Sequence, residues 1–164
     1  MRNVRPIGNR LVLQNDGDII RGLGFVALYS AYLEEQIDNL LFMLSSVEEF
    51  TEKEQHWPVS RKIKKAKTVA SKFEFEGRDD LLKILDLAKD AFEERNKIVH
   101  GRIYASFDRS DTLKSGRPNT SDRTIAANEL YELANHFSDL QGEAYRPMIF
   151  KIPKALATND RTKA

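Results

Sequence analysis

The spacing of apolar residues constrains this chain more than any other feature. Between residues 19 and 46 they fall at Phe25, Leu28, Tyr29, Tyr32, Leu33, Ile37, Leu40, Leu41 and Leu44. This i, i+3, i+4 recurrence lays one stripe along an α-helix. Asp16-Gly17-Asp18 stands just before it as turn and N-cap. Gly22 and Gly24 weaken the first turns by about 1 kcal/mol each relative to Ala, so the firm part of the helix is expected from about Phe25.

The same period returns three times. Pro58 to Phe73 carries Ile63, Ala66, Val69, Ala70 and Phe73 on one stripe, with Arg61, Lys62, Lys64, Lys65 and Lys67 around it. After Gly77, Asp79-Asp80 caps a helix with Leu81, Leu82, Leu85, Ala88, Ala91, Phe92, Ile98 and Val99 in register, and Gly101 closes it as a C′ glycine. A last helix runs from about Ala127 to Tyr145 through Leu130, Leu133, Ala134, Phe137, Leu140 and Ala144.

Between the last two helices the period shortens to two. Ile103, Ala105 and Phe107 alternate in a strand over 102–107, the loop Asp108–Asp122 holds Gly116 and Pro118, and a returning strand near Arg123–Ala126 completes a small hairpin. A further short strand is expected at Arg10–Leu13. The fold class is therefore all-α, a four-to-five-helix bundle with a β-hairpin excursion. With 164 residues the chain holds one domain, assigned to 1–150, with 151–164 as a flexible tail.

The chain has no cysteine, which excludes disulfide frameworks, Cys-rich zinc sites and thiol nucleophiles. No apolar run reaches the roughly 18 residues of a membrane span, and the first residues do not read as a signal peptide. A soluble, cytoplasmic protein with no membrane partner is expected. The 26 Lys plus Arg balance 25 Asp plus Glu, so any polyanion must be held by local clustering.

Histidine chemistry has three candidates, His56, His100 and His136. Only His100 has an arginine five places earlier; Thr51 and Tyr131 stand at the matching positions of the others. The stretch Arg95-Asn96-Lys97-Ile98-Val99-His100-Gly101 ends the third long helix. An imidazole moves a proton near neutral pH, a guanidinium stabilises added negative charge on phosphorus, and an amide orients either. Together they suit transesterification of an RNA phosphodiester. On a regular helix Asn96 and His100 lie about 40° apart and Arg95 and His100 about 140° apart, so a loosened helix end or a second copy across a two-fold axis is needed to bring the latter two together. The simpler reading is a helix C-terminus stabilised by basic side chains, worth about 0.3–1 kcal/mol.

These residues resemble the R-polar-x3-H motif of HEPN domains (higher eukaryotes and prokaryotes nucleotide-binding), in the RNxxVHG form. The order of long helix, helix, motif helix, β excursion and final helix extends the resemblance over roughly 20–145. It implies a HEPN-like bundle and a metal-independent endoribonuclease without cofactor, of the kind found in toxin–antitoxin, phage-defence and RNA-processing systems. Arg95 is then the phosphate-stabilising residue, Asn96 the polar second position and His100 the catalytic imidazole. The implied partners are RNA, a second copy completing a composite site, and an antitoxin or a nucleotidyltransferase. The family also has inactive members, so the alternative is a silent module binding RNA, a nucleotide or a protein.

Lys97 and Arg102 flank the motif and are candidate RNA contacts, as are Lys62 and Lys65 on the basic helix. The competing reading of the basic helix is a solvated face balanced by the acidic stretch Glu48–Glu54.

Overall fold

A computed structural model describes residues 4–7, 10–13, 15–104, 111–114 and 121–162. Strands β1 (Val4–Ile7) and β2 (Arg10–Leu13) precede helix α1 (Ile19–Met43), which tightens into a 3-10 turn at Leu44–Ser46. Helices α2 (Glu52–Gln55), α3 (Val59–Ala70) and α4 (Arg78–Val99) follow. Then come β3 (Arg102–Tyr104), β4 (Thr112–Lys114), β5 (Arg123–Thr124) and α5 (Ala127–Arg146). A π-helical segment, Pro147–Lys151, leads into α6 (Ile152–Thr162). The protein is mostly helical. No helix among the described residues is long and apolar enough to cross a membrane.

The chain divides into two compact units, one from Met1–Ser30 and Ala91–Ser138, the other from Ala31–Asp90 and Asp139–Ala164. In the first, Phe92 and Phe137 meet edge to face with centroids 5.1 Å apart, and Ile98, Leu113, Ile125, Leu130 and Ala134 are buried. The Tyr131 hydroxyl donates to Asp16 Oδ1 at 2.6 Å, and the Leu13 N–H donates to Asn135 Oδ1 at 3.0 Å. In the second, Leu33, Ile37, Leu40 and Leu41 of α1 and Leu44 of the 3-10 turn are buried, as are Ile63, Ala66 and Val69 of α3 and Leu81 and Leu85 of α4. Burying each large aliphatic or aromatic side chain contributes about 1.5–3 kcal/mol.

The first half of α1 departs from the expected stripe. Leu28 and Tyr32 are 43% and 42% exposed, whereas Val26 and Ser30 are buried. The inward row there is Gly22, Val26 and Ser30, and its small residues allow close packing against α5. A Cβ added at Gly22 would stand 2.9 Å from Leu130 Cβ. The helix begins at Ile19, as expected, and its first turns are helical despite Gly22 and Gly24, because Asp18 Oδ1 accepts from the N–H groups of Ile20 and Arg21, at 2.9 and 3.0 Å. Gly17, at φ +83°, makes the turn before it.

The β excursion is a three-stranded antiparallel meander in the order β3-β4-β5, not a two-stranded hairpin. Thr112–Lys114, expected as loop, is its central strand: Ile103 pairs with Leu113, and Leu113 with Arg123. Leu113 is the buried residue of β4, a single anchor too short to show a period. Ala105, Phe107, Gly116 and Pro118 lie outside the described residues. Gly77, at φ +82°, precedes α4 and accepts the Leu81 N–H, so Asp79 and Asp80 fall within the first turn instead of capping it.

The expected tail beyond residue 150 is a correction of the same kind. Pro147 has no N–H and crowds the carbonyl four residues back, which ends most α-helices. Here the turn widens to a π-helix, closed by the Ile152 N–H on the Pro147 carbonyl, and the chain continues helically through Thr162 with Met148 and Ile152 buried.

Candidate functional site

The motif occupies the last two turns of α4 and the residues after it. Phe92 and Ile98 are only 2% and 3% exposed and fix the inward face of the helix here. Arg95 lies three residues from each, on the same inward row. A guanidinium thus stands where the helical period calls for an apolar residue. The side chain is half-buried, with its guanidinium carbon 5.5 Å from the centroid of the Phe92 ring.

The polar partner of Arg95 is neutral. Nη1 donates to Asn96 Oδ1 at 3.0 Å, while Nε is shut off from solvent and donates to nothing among the described residues. No carboxylate among those residues pairs with it. Removing a charge from water without a counter-charge is costly, and an unsatisfied buried donor costs about 1–3 kcal/mol.

The helix ends one residue before His100. The His100 N–H still reaches the Asn96 carbonyl, at 3.2 Å, and the Gly101 N–H turns back to Ile98 at 3.1 Å. His100 is exposed, with no side-chain partner among the described residues. The structure therefore joins Arg95 to Asn96 and leaves the imidazole facing solvent at the end of the same helix. Within one chain it does not bring Arg95 and His100 into a hydrogen bond.

Gly101 is not the left-handed C′ residue expected from the sequence, since positive φ among described glycines is confined to Gly17 and Gly77. It is needed for space. A Cβ would meet Leu113 Cδ1 at 2.5 Å, the Lys97 carbonyl at 3.0 Å and the Lys114 carbonyl at 3.1 Å. The β3–β4 hairpin is thereby held against the end of the motif helix.

Of the flanking cations, Lys97 is half-exposed and pairs with Glu94 at 3.0 Å. Arg102 is exposed on β3, directly opposite Lys114 on β4. The remaining two candidates are corrected by the structure. Lys62 is only 3% exposed, its ammonium 2.8 Å from Asp38 and 3.3 Å from Glu34. Burial pulls its pKa down, but the hydrogen bonds and charges of Asp38 and Glu34 outweigh that and raise it. Lys65 donates to Glu54 and to the Glu49 carbonyl, both at 2.6 Å. Neither is available to follow a phosphate chain, because each is neutralised by carboxylates of its own fold. Lys67 and Lys72 likewise pair with Asp86 and Glu48.

Three residues of the site have no signature in the motif. Arg123, on β5, donates to Glu94 at 2.9 Å and to Glu129, and those contacts, Glu129 foremost, raise its pKa despite partial burial. Glu129 also accepts the Ala126 N–H at 2.9 Å, closing the first turn of α5. The meander is thus tied to the motif helix and to α5. Neither contact was readable in the sequence: Ala126 is not an N-cap residue type, and Arg123 and Glu94 are 29 positions apart.

No family model, no curated protein and no solved structure matches this chain.

Proposed function

We propose that this chain is a metal-independent endoribonuclease of HEPN-like type, cleaving single-stranded RNA as a homodimer. The observation that carries the reading is Arg95, an arginine on the inward row of α4 with an amide and, among the described residues, no carboxylate for a partner. A cation kept there against the pull of the core is best explained by an anion from outside the chain. Its resemblance to the R-polar-x3-H motif and the exposed His100 at the same helix end support a phosphodiester as that anion.

In this reading the His100 imidazole takes the proton of a ribose 2′-OH, whose oxygen attacks the adjacent phosphorus. Arg95, oriented by Asn96, neutralises the charge that gathers on the phosphoryl oxygens. The bond to the 5′-oxygen breaks, that oxygen receives a proton from an imidazolium, and the products are a 2′,3′-cyclic phosphate and a 5′-hydroxyl. The second copy supplies the opposing Arg95 or His100 that one chain does not bring together.

The test is cleavage of single-stranded RNA in EDTA by the wild type, His100→Ala and Arg95→Ala. Each variant is expected to lose about 10²–10⁴-fold, and RNA without the 2′-OH to stay intact. Mixing the two variants is expected to restore part of the activity through one intact composite site. Cleavage that survives in either variant overturns the assignment. No cleavage by the wild type favours the silent module, a reading that His100, without a side-chain partner among the described residues, also fits.

A further inference from the structure

The outer face of the β3–β4 hairpin carries an arrangement that strand pairing by itself disfavours. Arg102 and Lys114 are directly opposite each other in the antiparallel register, and both are exposed. Like charges at such a pair repel. Among the described residues neither has a carboxylate to offset the other. Tyr104 lies two residues beyond Arg102, on the same strand face and roughly 6–7 Å along it. Its ring is 48% exposed, with the Lys114 ammonium 5.2 Å from its centroid. Thr112, paired with Tyr104, completes the face with a small polar side chain.

We propose that this face is the landing surface for single-stranded RNA beside the motif, with a base stacked on Tyr104 and the flanking phosphates held by Arg102 and Lys114. An aromatic ring set among cations matches the dual chemistry of a single strand, whose bases stack on any π-face while its backbone seeks positive charge. An acidic peptide would neutralise the cations but offer the ring nothing. A lipid surface needs a broad apolar area to bury, and this face has one aromatic side chain. The phosphates also resolve the repulsion between Arg102 and Lys114, which no group on the described chain does.

Placement links this surface to the motif. Arg102 follows His100 by two residues, and the close packing of Gly101 against Leu113 and the Lys114 carbonyl fixes the hairpin on the helix end. Tyr104 stands four residues after His100, at the far end of the same short strand as Arg102. The inference rests on the ribonuclease reading for its substrate, but it is tested by binding and not by cleavage.

The experiment measures binding of a labelled single-stranded RNA by fluorescence anisotropy, in a His100→Ala background so that no cleavage intervenes. Tyr104→Ala is expected to weaken binding about 5- to 150-fold, the range for loss of one base–aromatic stack. Tyr104→Phe keeps the ring and is expected to bind within about twofold of its parent. Replacing Arg102 and Lys114 by Gln together should make the dependence of log affinity on log salt shallower by about 1.4, or about 0.7 per lost phosphate contact. Its unfolding temperature should hold or rise, since a repulsion is removed, and that separates lost binding from lost folding.

Unchanged binding by Tyr104→Ala, or an unchanged salt slope in the double variant, overturns the proposal. So does binding to vesicles of anionic lipid that matches or exceeds binding to RNA. The two readings fail separately. Tyr104-dependent binding without wild-type cleavage removes the nuclease and keeps the surface, whereas wild-type cleavage with indifference to Tyr104 removes the surface and keeps the nuclease.

Discussion

Lys62 and Arg95 are both cations at inward positions of helices, and the chain treats them in opposite ways. Lys62 of α3 is nearly fully buried between Asp38 and Glu34, with its charge answered within its own compact unit. Arg95 of α4 is half-buried against Phe92 and bonded to the neutral amide of Asn96. By count, the Arg61–Lys67 segment is the more basic of the two regions. By electrostatics the motif end is the more available, because among the described residues Arg95 and Arg102 have no carboxylate partner, although Lys97 pairs with Glu94. Where a cation's partner comes from is more informative than how many cations there are.

The largest stability effect falls on the paired lysine. Lys62→Ala strands two carboxylates, one of which already has an oxygen, Asp38 Oδ1, buried without a partner. Breaking a fully buried pair costs about 3–5 kcal/mol; with Asp38 and Glu34 still partly wet, about 2–3 kcal/mol is expected, a drop of roughly 5–10 °C in Tm. RNA cleavage per folded molecule should stay at the wild-type level. A loss of cleavage with unchanged Tm would reverse the comparison.

Gly101→Ala comes next. The added methyl presses on Leu113 and on two backbone carbonyls, and such overpacking costs about 1–3 kcal/mol. Thermal unfolding checks it, and a variant as stable as wild type would mean that the hairpin is not held tightly to the motif helix.

Arg95→Leu has a smaller effect of opposite sign. An apolar side chain between Phe92 and Ile98 relieves a half-buried, uncompensated cation, and a gain of about 1 kcal/mol is expected. Measured by denaturant unfolding, a destabilisation of that size or more would show that Arg95 serves the fold.

The mildest effect is in acid. The Glu54 carboxyl is held down from 4.5 to about 2, first by its hydrogen bond from Lys65 and then by the Thr51 N–H. A depressed carboxyl contributes stability that is complete above about 4.5 and lost as the pH falls through about 2. Across that window the wild type should lose stability more steeply than Glu54→Gln, and parallel curves would remove this pair from the account of the basic helix.

Most helix boundaries were legible because the 3.6-residue period is strong: the long helices ended within three residues of expectation. What escaped the sequence has physical causes. Small inward residues carry no hydrophobic signal, so Gly22 and Ser30 hid the true face of α1, and exposed Leu28 and Tyr32 suggested another. Pro147 reads as a stop because the π-helical accommodation depends on burial of Met148 and Ile152. At the site, the motif was visible as residue types at a spacing. The acidic stretch Glu48–Glu54 was a visible counterpart of the basic helix, and Lys65 does pair with Glu54; the pairing of Lys62 with Asp38 and Glu34 and the tie from Arg123 to Glu94 required contacts that only the folded chain makes.

The proposed ribonuclease requires Arg95 for an anion outside the chain and not for the fold. The most direct test is single-stranded RNA cleavage in EDTA by Arg95→Leu, in protein first shown to be folded. The account predicts a variant at least as stable as wild type with cleavage reduced about 10²-fold or more. Cleavage at the wild-type rate would contradict it.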